Sequence, residues 1–231
     1  MELTFLGRET GLAVNHTSAY FVTGNNELVV IDCSVSAFQK LKQLRLKDYT
    51  HIYVHITHTH SDHVGGLSLF VQYMYFTLHR VITIIAPSNT VKQDIKTLLS
   101  IEGCADDWFV ITDVEKCNKN WVNASILTDH TPQLHGKCFG YSLSINGKNI
   151  IYTGDTNTLE PFEIDILGCD ELYVDVAVGK SPAHLNLVEA LEKFLEFASN
   201  GTKVYLMHLD NIQMAEEIVA ELDGIELVQV E

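Results

Sequence analysis

The stretch that decides the fold is Thr57-His58-Thr59-His60-Ser61-Asp62-His63-Val64-Gly65-Gly66. It places three histidines and one aspartate within six residues, directly after an apolar run that ends at Ile56. A strand that feeds a tight loop brings such side chains to a common point. Imidazole nitrogens and carboxylate oxygens are ligands that Zn²⁺, Mn²⁺ and iron ions accept. The stretch therefore predicts a metal site at the end of a strand rather than a polar loop with incidental histidines.

Short β-rich runs and longer helical runs alternate on both sides of this stretch. Turn residues bound each apolar run, which predicts strands over residues 3–6, 19–22, 28–31, 52–56, 81–86, 109–111, 124–127, 139–145, 149–153, 171–176, 204–207 and 227–230. Apolar residues at helical spacing predict helices over residues 35–47, 90–100, 186–198 and 213–222. Gly24-Asn25-Asn26 and Asn146-Gly147-Lys148 are typical of hairpin turns. The pattern indicates a layered α/β protein with mixed sheets.

Length and composition set the scale of the molecule. The chain has 231 residues, of which 46% are hydrophobic and 19% are charged. These values are ordinary for a globular protein, so we expect one domain over residues 1–231. The longest apolar stretch, residues 67–87, is interrupted by Gln72, His79 and Arg80. It is too polar for a membrane span, and no membrane partner is expected.

Charge and cysteine content narrow the partners and the compartment. Fifteen Lys and Arg against thirty Asp and Glu give a net charge of −15. Because binding a polyanion requires a basic surface, a large nucleic acid is not expected as a partner, whereas a small-molecule substrate is. Five widely spaced cysteines without a CxxC pair, and no apparent leader before the first strand, favour a reducing, cytoplasmic location.

The histidine-rich stretch is similar to the signature of the metallo-β-lactamase superfamily, whose fold is an αββα four-layer sandwich. Val30-Ile31-Asp32-Cys33 resembles the early strand of that family, which ends in Asp. Ile151-Tyr152-Thr153-Gly154-Asp155-Thr156 resembles its YTGD(T/S) element, and Leu206-Met207-His208-Leu209 resembles its late strand. The resemblance covers nearly the whole chain, and it implies the four-layer α/β fold. Asp32 is expected to support the site through hydrogen bonds rather than to bind metal.

The resemblance implies a hydrolase with two divalent metal ions, Zn or Mn. A hydroxide shared between the metals would be the nucleophile, and Asp62 would also orient it. The implied ligands are His58, His60 and a middle-chain histidine for one metal, Asp62, His63 and His208 for the other, and Asp155 between the two. Diiron oxidoreductases of the superfamily carry Glu where His60 stands, so His60 favours hydrolysis. A mono-iron sulfur dioxygenase keeps the same motif and stays an alternative.

Two residues are candidates for the middle-chain ligand. His130 follows a predicted strand and opens a His-Thr-Pro sequence, as the family often does. His135 lies nearer to the usual spacing from Gly140-Tyr141. His130 is favoured, and His135 stays open.

The C-terminal half resembles the ribonuclease Z-like phosphodiesterase branch. Leu172-Tyr173-Val174-Asp175 matches the strand that ends in an acidic residue, and Ala183-His184-Leu185 begins the helix-opening stretch that follows. In that branch such a pair gives a proton to the leaving oxygen, so the resemblance implies this role for Asp175 and His184. The sequence departs from the tRNA-processing members, which carry Glu after His where Asp175 stands.

The substrate is expected to be a small phosphodiester of nucleotide type, for example a cyclic nucleotide. The chain lacks the extended basic arm with which ribonuclease Z enzymes hold tRNA. Lactone hydrolases of the superfamily place Tyr shortly after the bridging Asp, but here Thr156-Asn157-Thr158 follows. A carboxylic-ester, thioester or lactone hydrolase and an RNA-processing nuclease remain the alternatives. A homodimer is compatible with the resemblance. Residues 70–76 are expected to pack in the core rather than form a stacking wall for a base or a dimer contact.

Overall fold

The computed structural model of the protein describes residues 2–230. Within this range, strands form two six-stranded sheets. The strands are β1 (Thr4–Gly7), β2 (Ser18–Val22), β3 (Leu28–Ile31), β4 (Ile52–His55), β5 (Ile82–Ala86), β6 (Phe109–Asp113), β7 (Val122–Thr128), β8 (Cys138–Ile145), β9 (Lys148–Tyr152), β10 (Glu171–Asp175), β11 (Lys203–Met207) and β12 (Ile225–Leu227).

Helices connect the strands and cover the outer faces of both sheets. They are α1 (Val35–Leu41), α2 (Ser61–Val64), α3 (Leu67–Gln72), α4 (Asn89–Ile101), α5 (Glu163–Ile166), α6 (Leu187–Ser199) and α7 (Ile212–Val219). Several begin at a polar cap whose side-chain oxygen accepts a hydrogen bond from a backbone N–H of the first turn. These caps are Ser34, Ser88, Asn186 and Asn211.

The two sheets have mirrored strand orders, β1-β2-β3-β4-β5-β6 and β12-β11-β10-β9-β8-β7. In the first sheet β3 to β6 are parallel, and in the second β9 to β12 are parallel. Hairpins complete each sheet, and both predicted turns join antiparallel strands. Asn146 and Gly147 have positive φ angles of 52° and 80°, as the tight turn between β8 and β9 requires. The loops after the parallel strands carry most of the predicted ligands.

Successive side chains of each strand point to opposite faces of its sheet, so each sheet contacts a helical layer on one face and the other sheet on the other. On β3, Val30 contacts the helices of the first sheet, while Val29 lies in the core between the sheets. On β10, Leu172 packs under α6 and α7, while Tyr173 lies between the sheets. The layers are therefore helix, sheet, sheet and helix, which confirms the predicted αββα sandwich. One domain over residues 1–231 stays a prediction, and positions 1 and 231 lie outside the described residues.

Two predicted elements differ clearly from the structure, and the aromatic stretch forms an element that was not predicted from the sequence. The helix predicted over residues 35–47 ends at Leu41, and a separate turn at Leu46–Asp48 brings Leu46 into the core. The aromatic stretch is α3 followed by a π-helical turn at Tyr73–Thr77. Its residues Phe70 and Met74 are buried in the first helical layer, as expected for core packing, but Phe76 is 57% exposed and does not pack there. The last strand, predicted over residues 227–230, is instead Ile225–Leu227, because the side chains of this earlier segment alternate into the core.

Within residues 2–230, no helix is both long enough and apolar enough to cross a membrane.

Candidate metal centre

The histidine-rich loop is held from below by a buried carboxylate. Asp32 directly follows β3 in a left-handed conformation, with φ of 61°, and its side chain is fully buried. Thr57 donates to it twice, from its backbone N–H and from Oγ1, each over 2.8 Å. Nδ1 of His63 donates to the same carboxylate over 2.8 Å. Asp32 thus fixes both ends of the loop, as expected for a supporting residue.

One donor set contains three imidazole nitrogens that converge. Nδ1 of His60 lies 3.0 Å from Nε2 of His58 and 3.2 Å from Nε2 of His130. Oδ2 of Asp155 lies 3.8 Å from the His58 nitrogen and 3.6 Å from the His130 nitrogen. Burial lowers the pKa of His58 and His60, so their imidazoles are neutral near pH 7, the form that binds metal.

A second donor set lies on the other side of Asp155. Nε2 of His63 is 3.3 Å from Oδ2 of Asp62 and 3.3 Å from Oδ1 of Asp155. Nε2 of His208 is 3.3 Å from Oδ2 of Asp62 and 3.4 Å from Oδ2 of Asp155. The Asp155 carboxylate therefore belongs to both sets, in the position that a bridging ligand takes.

Hydrogen bonds behind the imidazoles orient their free nitrogens toward these sets. Nδ1 of His130 donates to the carbonyl oxygen of Ala183 over 2.7 Å, which leaves its Nε2 without a proton when the ring is neutral. The Nδ1–H bond from His63 to Asp32 has the same effect. Such bonds behind a ligating histidine fix its tautomer and its ring orientation.

Charges in the cluster are mutually dependent. Burial alone would lower the pKa of His208, but the carboxylates of Asp155 and Asp175 outweigh burial and raise it to about 10. Asp155 and Asp32 likewise raise the pKa of His63 against the effect of burial. Burial opposes ionisation of Asp155, but the neighbouring imidazoles hold its pKa well below the ordinary value. The buried carboxylates are therefore stabilised by positive charge between them, and divalent cations would supply that charge.

The residues fit two divalent cations. Each donor set consists of nitrogen and oxygen atoms that all lie within 4.8 Å of one another. The converging nitrogens of the first set cannot all donate to each other, and Nε2 of His63 is buried without a hydrogen bond. Histidine and carboxylate donors of this kind suit Zn²⁺ and Mn²⁺. The cluster is therefore compatible with a di-metal site.

Asp175 and His184 lie at the edge of this cluster. Nδ1 of His184 donates to Oδ2 of Asp175 over 2.7 Å, and Asp175 is fully buried at the end of β10. The other Asp175 oxygen lies 3.3 Å from Nδ1 of His208. Burial works against protonation of His184, but the bond to Asp175 raises its pKa. A half-buried imidazole that keeps its proton beside the metal cluster is suited to donate that proton.

The structure brings together every residue that was predicted for the site. The seven ligand candidates form the two sets, and the predicted donor pair adjoins them. His135, the alternative middle-chain ligand, lies outside both sets. Its side chain is 84% exposed, and its Nδ1 lies 3.5 Å from Asp129.

Sequence reasoning missed two supporting residues. Thr57 stands inside the quoted stretch, but only the structure connects it to Asp32. Gly11 lies over the cluster, where a Cβ atom would come within 2.7 Å of Oδ2 of Asp62. No local pattern could indicate Gly11, because its neighbour is about fifty positions away in the sequence.

Two cavities adjoin the cluster, and Asn157 and Pro182 line both of them. The His130-side cavity has a volume of about 640 Å³. The His184-side cavity has a volume of about 490 Å³. His130, a member of the first donor set, lines the larger cavity, and His184 lines the smaller one.

A comparison with known protein families shows which family this chain belongs to. The model of the anti-Pycsar protein Apyc1 family matches residues 1–229. The chain belongs to this family. Its relative in Bacillus phage 010DV004, described as anti-Pycsar protein Apyc1, is 25% identical and is aligned over 92% of this chain and 91% of its own length.

Solved structures of the metallo-β-lactamase fold resemble this Apyc1-family chain over nearly their full lengths. YhfI from Bacillus subtilis has a TM-score of 0.75 at 16% identity, covering 98% of this chain and 95% of its own. A diphosphatase of the PhnP family has a TM-score of 0.72 at 18% identity, covering 99% and 94%. The short form of human tRNase Z has a TM-score of 0.67 at 16% identity, covering 100% and 97%. These likenesses confirm the predicted fold.

Proposed function

We propose that this protein is a metal-dependent phosphodiesterase that hydrolyses cyclic nucleotides. The observation that carries the proposal is the pair of donor sets that share Asp155, with the Asp175–His184 pair beside them. Two bound divalent cations, Zn²⁺ or Mn²⁺, would lower the pKa of water and neutralise charge on a phosphodiester.

The residues of the chain have separate tasks in this proposal. The seven ligands hold the cations, and Asp62 also orients the attacking water from its place between His63 and His208. His184 gives the proton on Nε2 to the leaving ester oxygen. Asp175 holds His184 through Nδ1, so that Nε2 is the nitrogen left to face the substrate.

The family supports cyclic nucleotides over other substrates of the fold. Its description, anti-Pycsar, denotes action against cyclic nucleotides. The net charge of −15 disfavours a polyanion and leaves a small phosphodiester as the better substrate. Five cysteines without a disulfide support the reducing, cytoplasmic location that belongs to the same proposal.

The test is hydrolysis of bis-p-nitrophenyl phosphate and of 3′,5′-cyclic nucleotides by purified protein loaded with Mn²⁺ or Zn²⁺. We expect turnover of both, and its loss when a chelator removes the metal. Nitrocefin and a lactone serve as parallel substrates. Ester or lactone turnover without phosphodiester turnover would contradict the proposal and favour a carboxylic-ester, thioester or lactone hydrolase. A single iron per chain would favour the dioxygenase alternative instead.

Matched variants connect this activity to the cluster. Asp155→Asn should abolish turnover and lower the metal content, because its carboxylate belongs to both donor sets. Asp48→Asn makes the same change on the exposed surface and should retain both properties. His184→Asn should slow poor leaving groups more than p-nitrophenolate, whereas His79→Asn should slow neither. Equal losses for good and poor leaving groups would remove His184 from the proton-donor role.

A further inference from the structure

The two cavities beside the metal cluster differ in charge. The His184-side cavity is lined by Glu160, Glu163 and Glu189, and its one lysine, Lys193, is paired with Glu163. An anionic substrate is repelled by such a lining. The His130-side cavity is lined by one carboxylate, Asp129, which already lies 3.5 Å from an imidazole nitrogen. The nucleoside part of a phosphodiester is therefore better accommodated on the His130 side.

The walls of the His130-side cavity suit a flat ring. Pro132, Pro182 and Ala183 form apolar surfaces, and Gln133 and His135 add polar groups. Mostly apolar walls with a few polar groups are typical of small-molecule sites. Since His130 belongs both to this cavity and to the first donor set, a ligand can reach both at once. A nucleotide has this form, with a charged phosphate and a flat base a few ångströms apart.

We propose that the His130-side cavity is the nucleobase subsite and that Gln133 recognises the edge of the base. This inference rests on the cyclic-nucleotide activity proposed above. The Gln133 side chain is exposed in the cavity wall, where its carboxamide is accessible to a ligand. A carboxamide offers both a donor and an acceptor, so it can pair with cytosine or with uracil. The unmodified protein should therefore hydrolyse the two cyclic pyrimidine nucleotides at similar rates.

The test is a substitution that changes the hydrogen-bonding groups of the Gln133 side chain and keeps its size. Gln133→Glu leaves only acceptors, which suit the 4-amino group of cytosine and oppose the 4-carbonyl group of uracil. We expect the ratio of kcat/KM for cyclic CMP to that for cyclic UMP to rise about tenfold, the order of discrimination for one specific base contact. The added negative charge acts on both cyclic nucleotides alike and cancels in the ratio. Bis-p-nitrophenyl phosphate, which has no base edge, measures the effect of that charge on turnover alone. Gln43→Glu introduces the same charge on an exposed turn after α1 and should leave the ratio unchanged.

The outcomes distinguish this inference from the proposed function. An unchanged ratio in Gln133→Glu, with bis-p-nitrophenyl phosphate still hydrolysed, would overturn the base subsite and leave the phosphodiesterase intact. A changed ratio in Glu189→Gln but not in Gln133→Glu would assign the base to the His184-side cavity and also overturn it. If the unmodified protein hydrolyses no phosphodiester, the proposed function fails and the subsite fails with it.

Discussion

Asp32 lies outside the two candidate donor sets, yet its hydrogen bonds position the loop that carries most of their residues. Its carboxylate accepts hydrogen bonds from the Thr57 N–H, from Thr57 Oγ1 and from His63. Asp32→Asn keeps the shape, but its amide nitrogen cannot accept, so a buried donor loses its partner. We expect the free energy of unfolding to fall by about 1–3 kcal/mol. Metal affinity should fall about 10- to 100-fold, as for other residues behind metal ligands.

Urea unfolding and zinc titration measure these two effects of Asp32→Asn. The exposed substitution Asp48→Asn is the control, because its ion pair with Arg45 lies on the surface and contributes about 0–1 kcal/mol. A variant that keeps both its stability and its zinc affinity would show that Asp32 does not orient the loop.

Gly11 is a second single residue on which the candidate metal site depends. In Gly11→Ala, the added Cβ would lie 2.7 Å from Oδ2 and 2.8 Å from Cγ of Asp62, so the carboxylate or the loop must move. We expect the fold to be retained and the second metal to be lost or weakened, measured as metal per chain after dialysis. Gly24→Ala is the matched control, since an added Cβ there meets nothing within 4 Å. Equal metal contents in the two variants would contradict this role.

At the scale of elements, β10 begins with a carboxylate that anchors the start of the chain. Glu171 is buried and accepts hydrogen bonds from Tyr173 Oη, from Lys148 and from the backbone N–H of Glu2. Burial opposes its ionisation, but these donors outweigh burial and lower its pKa. A lowered folded-state pKa stabilises the fold above the unfolded value of about 4.3, and the contribution is lost as the pH falls through the folded value.

Glu171→Gln tests this anchor through the pH dependence of stability. We expect the variant to be less stable at pH 7 by roughly 1–2 kcal/mol, because a charge-assisted set of bonds becomes neutral. The difference from the unmodified protein should begin to shrink as the pH falls below the unfolded value of about 4.3, and it should be lost as the pH falls through the lower folded-state pKa. Thermal unfolding at a series of pH values measures it. A difference that stays constant with pH would assign the loss to packing instead.

Local patterns at the ends of strands account for the site residues that could be predicted from the sequence. His58, Asp155 and His208 each follow a recognisable apolar strand, so their local patterns indicate both the strand and the ligand at its end. The choice between His130 and His135 is not local. It depends on the carbonyl of Ala183, about fifty residues further along the chain, which orients the His130 ring. The π-helical turn at Tyr73–Thr77 was not predicted either, since its apolar spacing also fits a continuous α-helix.

The whole molecule carries a net charge of −15, although its site is proposed to bind a small anion. The Debye length is about 10 Å at 0.1 M salt, so salt screens the surface charge more than the buried cluster. We expect kcat/KM for a cyclic nucleotide to rise modestly, by about two- to threefold, between about 0.02 and 0.2 M NaCl, because repulsion from the surface weakens.

A polymeric substrate would show the opposite dependence on salt. An RNA held by many phosphate contacts is released as counterions accumulate, and its affinity falls by roughly 10³- to 10⁵-fold over a comparable range. Measuring kcat/KM for a cyclic nucleotide and for a short RNA across one salt series therefore distinguishes the two substrate classes on the same protein. A steep fall for RNA, together with faster RNA turnover at low salt, would reverse our assignment and favour a nuclease. A rising profile for the nucleotide, with little RNA turnover at any salt, is expected from the acidic surface.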